Sequence, residues 1–303
     1  MARRAPPRLD LSGLLLLDKP LGISSNQALQ HARRALNADK AGHTGTLDLM
    51  ASGLLAICLG EATKLCGYLL DAPKTYRADV ALGSATSTGD REGEVIERGV
   101  CPALGAAEVA GVCARFLGRS LQVPPMYSAL KHAGLPLYTL ARAGQEIERE
   151  PREIDITRLD VIAVEAERLV LEIACSKGTY IRTLVEDIGR ALGCPAHLHD
   201  LRRLSVADFH IDQAWTAEGL MAAAGEGKAA HCLLPADAIV AHYPAVHLSA
   251  SDADRVLHGQ PATDALVPDT PEPIRLYAPE SVFLGLGERR PDERLWPKRL
   301  FRF

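Results

Sequence analysis

The chain lacks any apolar run of the length needed to span a bilayer. The Leu14-Leu-Leu-Leu17 run is short and is stopped at once by Asp18-Lys19-Pro20. The basic N-terminus, Met1 to Arg8, is followed by no long apolar stretch, so it does not read as a secretory signal. Paired cysteines are missing too. The seven cysteines fall at 58, 66, 101, 113, 175, 194 and 232, an odd number with no C-x-x-C pair. That usage predicts a reducing compartment and no disulfide framework. Cys194-Pro-Ala-His197-Leu-His199 is the one hint of a metal, and it lacks a second cluster to complete a tetrahedral site. Gly285-Leu-Gly287 lies late and opens no helix, and no Walker-type phosphate loop occurs. Internal repeats and low-complexity tracts are absent.

What remains is an ordinary globular chain of 303 residues, 47% hydrophobic and 24% charged, with a net charge of −4. The overall charge does not point to nucleic acid, but its distribution is uneven. Residues 1–40 carry seven Lys or Arg against three Asp, and the acid is spread over segments such as 146–172 and 263–280. Such asymmetry can give a positive groove on a globally acidic protein, and it is equally a solvated surface with ordinary charge scatter.

Apolar patterning predicts strands at 13–17, 54–59, 75–82, 154–164, 169–175 and within 201–211. Helices are expected over about 25–36, 62–70, 103–117 and 216–224. A further helix opens after Lys177-Gly-Thr179. Ile181, Leu184, Val185, Ile188 and Leu192 give it a clean apolar stripe, and Gly193 ends it. Residues 131–152 mix basic and acidic side chains and read as an exposed arm. Composition shifts near Gly225-Glu-Gly-Lys, and the tail reads as a helix near 251–257 with short strands near 274–277, 282–287 and 299–303. The fold class is α+β, with a small β-rich second domain.

Ala41-Gly-His-Thr-Gly-Thr-Leu-Asp48-Leu-Met-Ala-Ser-Gly53 sets one carboxylate among glycines, small hydroxyl residues and His43. Glycines there permit close backbone approach to another molecule. An Asp on such a turn can act as a nucleophile or a base in a cleft. The same residue types also serve as plain turn and capping residues. Arg182, next to the stripe residue Ile181, lies at the edge of a buried face and needs an acidic partner or a route to solvent. Asp48 would meet that need, and so would Glu186 one turn along the same helix.

Eight ordered pieces, Leu17-Asp-Lys-Pro-Leu-Gly22, Gly42-His-Thr-Gly-Thr-Leu-Asp48, Ala51-Ser-Gly-Leu-Leu55, Gly60-Glu-Ala-Thr-Lys64, Lys74-Thr-Tyr76, Met126-Tyr-Ser-Ala129, Ser176-Lys-Gly-Thr-Tyr-Ile-Arg182 and Leu201-Arg-Arg-Leu204, span about two-thirds of the chain. Together they resemble the bacterial tRNA pseudouridine-55 synthases. The resemblance implies a pseudouridine synthase fold, a mixed β-sheet flanked by helices, over residues 1–246. It implies a small PUA-like RNA-binding domain over 247–303 and an RNA-clasping insertion at 124–152. It implies isomerisation of a T-loop uridine in tRNA by base flipping, without cofactor or metal, by a cytoplasmic monomer that needs no protein partner and no membrane. By the same resemblance Asp48 is the nucleophile. Tyr76 stacks on the uracil and assists the proton step at C5, and Arg182 pairs with Asp48. His43 fills the space left by the extruded base, Tyr180 and Leu201 line the uracil pocket, and Lys19 and Pro20 support the Asp48 loop. Leu49 stands where the family usually has Pro, and Ser52 where Thr is more usual; neither change removes a reacting group. Two other readings stay open: a guide-RNA-directed synthase of the dyskerin type, which needs partner proteins, and an RNA chaperone that remodels tRNA without chemistry.

Overall fold

The computed structural model of the protein describes residues 11–302. The basic segment Met1 to Arg8 and the last residue of the strand expected at 299–303 lie outside the described residues. Seven strands make the main path of a nine-stranded sheet: β1 (Gly13–Lys19), β2 (Ala51–Leu59), β3 (Lys74–Leu82), β4 (Gly118–Gln122), β5 (Arg152–Glu165), β6 (Arg168–Cys175) and β7 (Ala196–Val206). Their spatial order is β1-β2-β7-β3-β6-β5-β4, and only the β2–β7 pair is parallel. The short strands Ala41–His43 and Phe209–His210 pair with β2 and β7.

The continuous apolar runs of β1 and β2 follow from burial on both faces. Leu15, Leu17, Leu55, Ile57 and Leu59 pack with Ala28, Leu29 and Ala32 of helix α1 (Ser25–Ala35). Leu14, Leu16, Leu54, Ala56 and Cys58 face the opposite way, onto Leu65, Val240, Leu286 and Phe301. Ser24 starts α1 with a capping box shared with Gln27. Helix α2 (Ala106–Cys113) is shorter than the expected 103–117, passing into a 3₁₀ turn at Ala114–Phe116. The segment expected as one helix over 62–70 divides into a 3₁₀ stretch, Gly60–Leu65, and a short α-helix, Cys66–Asp71. Helix α3 (Ile181–Ala191) buries its stripe on the sheet, and α4 (Ala217–Gly225) packs Leu220 into the α1 layer.

β7 starts five residues earlier than its apolar pattern indicates. Bulges between Leu198 and Asp200 and between Arg203 and Ser205 break the two-residue period. The tail forms a four-stranded sheet of β8 (Ala245–His247), β9 (Ile274–Ala278), β10 (Val282–Arg289) and β11 (Leu295–Leu300), with α5 (Ala250–Leu257) against it. The expected boundary at 246/247 falls inside β8. One expectation is overturned: Cys101 and Cys194 form a disulfide, with Cα atoms 5.1 Å apart and 93 residues between them in sequence. The bond from Gly83 N–H to the Pro195 carbonyl, 2.8 Å, draws these loops together, which no local spacing could reveal. The other five cysteines are free. Among the described residues no helix is long and apolar enough to cross a membrane.

Candidate active site

Asp48 sits on the loop between Ala41–His43 and β2, tied on both sides. The buried Ser25 hydroxyl accepts a bond from Leu47 N–H at 2.8 Å and donates to the Leu47 carbonyl at 3.1 Å. Gly22 N–H donates to the Leu49 carbonyl at 2.8 Å, and Ala51 N–H to the Asp48 carbonyl at 3.1 Å. The entry to α1 therefore grips the residues flanking Asp48, while the Asp48 side chain stays 42% exposed at the lip of the cleft. Such a grip fixes a reacting group without burying it.

Arg182 comes from the first turn of α3. Its start is fixed by Gln122 at the end of β4, whose side-chain amide accepts from Tyr180 N–H (2.8 Å) and donates to the Tyr180 carbonyl (3.1 Å). The guanidinium is buried and both of its terminal nitrogens are used. It lies 3.1 Å from the Asp48 carboxylate and 3.5 Å from that of Asp90, and it donates to the Thr88 carbonyl (3.1 Å) and the Tyr127 carbonyl (2.7 Å). Asp90 is itself buried, accepting from the Thr88 hydroxyl at 2.6 Å and Glu92 N–H at 3.1 Å. The pairing with Glu186 is not made. Burial pushes that carboxyl's pKa up, and it lies against Gly89 beside Asp90.

Tyr76, Tyr180 and Leu201 gather around this pair. Tyr76 stands on β3 and packs on the main core, close enough to Asp48 for that charge to oppose ionisation of its phenol. Burial raises the pKa of both tyrosines above the ordinary phenol value. Leu201 lies on β7 between Ala78 and Ala51 and is buried in the same core. Lys19 is wholly buried, its ammonium donating to the Pro20 (2.9 Å) and Ile23 (2.7 Å) carbonyls. Burial pushes Lys19 down to about 8, against the pull of the Asp48 charge. Pro20 is exposed and lines a separate apolar cavity of about 670 Å³ between α1 and α4. His43 precedes the loop; burial, with Arg203 behind it, lowers its pKa and favours the neutral ring. A polar cavity of about 290 Å³ borders Arg182 together with Thr88, Tyr127, Arg149 and Glu186, but not Asp48 or Tyr76. His197, from the metal-like segment, instead places Nδ1 2.9 Å from the Ser84 carbonyl, and Cys194 is in the disulfide.

Two residues escaped the sequence reading. Asp90 lies in a polar turn with no distinguishing spacing. Arg203 had a usable signal: two residues beyond Leu201 on a strand, it shares that residue's face. It is 1% exposed, donates from Nε to the Leu54 carbonyl at 2.6 Å, and reaches the Gly45 carbonyl at 3.4 Å.

The fold is that of the pseudouridylate synthases. The model described as "TruB family pseudouridylate synthase (N terminal domain)" matches residues 33–181. The "tRNA pseudouridylate synthase B C-terminal domain" matches 182–241, and "Pseudouridine synthase II TruB, C-terminal" matches 244–301. Proteins named tRNA pseudouridine synthase B are similar throughout. That of Stutzerimonas stutzeri is 48% identical, covering 100% of this chain and 99% of its own length, and that of Chromohalobacter salexigens is 50% identical, covering 98% and 96%. A solved Cbf5–Nop10–Gar1 complex matches with a TM-score of 0.70 at 26% identity, over 91% of this chain and 78% of the other. The chain belongs to the TruB family of pseudouridylate synthases, and it is an isomerase.

Proposed function

We propose that the protein isomerises uridine-55 in the T loop of tRNA to pseudouridine, acting alone as a cytoplasmic monomer. The observation that carries the assignment of roles is the Arg182 fork, which holds Asp48 from a buried position while leaving its carboxylate open to the cleft. A stacked T-loop uracil must be flipped out to reach that carboxylate. Asp48 then acts as the nucleophile, and Tyr76 offers a stacking surface and takes part in the proton exchange at C5. His43 occupies the space the base leaves, and its neutral ring suits stacking. Tyr180 and Leu201 wall the uracil, while Lys19 and the Pro20 carbonyl it binds brace the loop entry.

The reaction breaks N1–C1′, forms C5–C1′, loses one proton from C5 and gains one at N1. Nothing is oxidised and no group is transferred in from outside, so the chemistry calls for no redox cofactor. Residues 124–152 and the tail domain over 247–303 supply further RNA contacts, the latter with Arg289, Arg290, Arg294, Lys298 and Arg299. Binding through phosphates weakens with salt.

The test is product formation on unmodified tRNA. Wild-type protein converts that one uridine without partner proteins. Asp48→Asn forms no product while binding tRNA with an affinity close to that of the wild type. A variant that keeps its rate refutes the mechanism. A chain that turns over only with guide RNA and partners belongs to the alternative class.

A further inference from the structure

Arg203 is among the largest fully buried side chains, and among the described residues no carboxylate forms an ion pair with it. A guanidinium in that situation is costly unless its donors and charge are used. Two carbonyls, Leu54 and Gly45, take part of the fork. In the β7–β3 ladder Arg203 stands directly opposite Tyr76, so the two side chains leave the sheet on one face, and the buried Arg203 charge favours ionisation of the Tyr76 phenol. On its other side Arg203 pairs with Gly53, where a Cβ would lie 2.3 Å from the Arg203 carbonyl oxygen.

We infer that Arg203 is a positioning residue for Tyr76, aiming the phenol into the cleft and stabilising the phenolate that removes the C5 proton. The inference rests on Tyr76 being that proton acceptor. Once C5 is joined to C1′, the C5–H bond breaks and its electron pair forms the C5=C6 double bond. The N1=C6 pair returns to N1, which takes a proton from water. The C5 proton goes to the phenolate oxygen, and the resulting phenol later releases it to solvent. A neutral phenol cannot perform this step, and a fixed guanidinium is the group that favours the anion. The other ionisable groups facing Tyr76 are Cys175 of β6 and Asp48, both of which oppose its ionisation, as burial does. Lys19, His43 and Lys74 feel the same Arg203 charge, and burial brings Lys74 down to about 8.

The experiment uses full-length protein with tyrosine labelled at Cζ, the Tyr76 resonance assigned through Tyr76→Phe. Arg203→Gln keeps donors for the two carbonyls and removes the charge, whereas Arg203→Lys keeps the charge. The Tyr76 titration midpoint should move up by about one to three pH units in the Gln variant and return most of the way in the Lys variant. On T-arm RNA carrying C5-deuterated uridine, the Gln variant should show a slower single turnover with an increased isotope effect, at unchanged RNA affinity. Equal midpoints in all three proteins, with Tyr76→Phe inactive, overturn the Arg203 inference alone. A fully active Tyr76→Phe removes the proton-acceptor reading itself, and the inference with it. Should the Gln variant fail to fold, Arg203→Met takes its place: a midpoint moved up with a raised isotope effect supports charge stabilisation, and the wild-type midpoint with the wild-type isotope effect overturns it.

Discussion

The Arg182 guanidinium lies 3.1 Å from the Asp48 carboxylate, joining a side chain that is 7% exposed to one that is 42% exposed. The asymmetry divides the labour. The acid is left open to the cleft, and the guanidinium is anchored on Asp90 and on the Thr88 and Tyr127 carbonyls.

Replacing Arg182 by Lys keeps the charge and loses the fork. One ammonium cannot serve two carboxylates and two carbonyls on different segments. Single-turnover pseudouridine formation should fall by about 10²-fold or more, the order expected when a reacting group shifts by an ångström, while RNA affinity changes little. Rapid-quench and filter-binding measurements check the two halves separately.

Asp90→Ala removes the buried counter-charge of Arg182 and the acceptor for the Thr88 hydroxyl and Glu92 N–H. Breaking a buried pair from one side costs about 3 kcal/mol, more than a surface pair is worth. Urea denaturation should show that loss, with a smaller one for Asp90→Asn, which keeps an acceptor.

Much of this site was legible in the chain because its parts are sequentially compact. The Asp48 loop announces itself by glycines and hydroxyl residues, and Arg182 by the stripe of α3. Asp90 was not legible: it is polar in a polar turn, and only folding brings that turn beneath Arg182. The strand span of β7 was misread because two bulges shift which residues face inward. The Cys101–Cys194 bond was missed because 93 residues separate its partners, which the fold brings together beside the Gly83 to Pro195 contact.

Gly53→Ala should be among the most damaging small substitutions. Its φ of +103° is a glycine conformation, and the added Cβ would stand 2.3 Å from the backbone oxygen of Arg203, which cannot swing away as a side chain can. At Gly45, φ +133°, an added Cβ would meet only an ordinary van der Waals contact, the Arg203 guanidinium at 3.6 Å. Gly45→Ala should therefore cost only backbone strain, about 1–3 kcal/mol. Thermal melts should rank Gly53→Ala below Gly45→Ala.

Lys19 gives a pH signature in stability. Its folded value is about 8 against 10.5 ordinarily, so between those values the unfolded chain binds more protons and stability rises with pH. The cost of the buried charge is thus fully present below about pH 8 and is relieved as pH climbs to 10.5. Lys19→Met loses the donor to the Pro20 and Ile23 carbonyls but also the cost of the buried charge, so its deficit against the wild type should be smallest below about pH 8 and largest above 10.5. It should also lack up to about 3 kcal/mol of the wild-type rise between pH 8 and 10.5. Parallel slopes for the two proteins would show that Lys19 titrates normally.

The tail sheet shares a core with the catalytic sheet, which predicts how the molecule unfolds. Leu286 and Phe301 are buried beside Leu14, Leu54 and Leu65. The Lys64 ammonium donates to the Leu300 carbonyl at 2.7 Å, and Arg302 N–H donates to the Glu61 carboxylate at 2.7 Å. A domain hung on a polar linker would melt separately, but one whose aromatic side chain fills its neighbour's core should melt with it. Phe301→Ala removes a T-shaped contact with Phe283 and opens a cavity at the join, a loss of about 3–5 kcal/mol. Calorimetry should show one transition for the wild type. In the variant that transition should shift down as a whole or split, with the tail melting first. An unshifted main transition beside a small early one would mean that the shared core contributes nothing to the catalytic sheet.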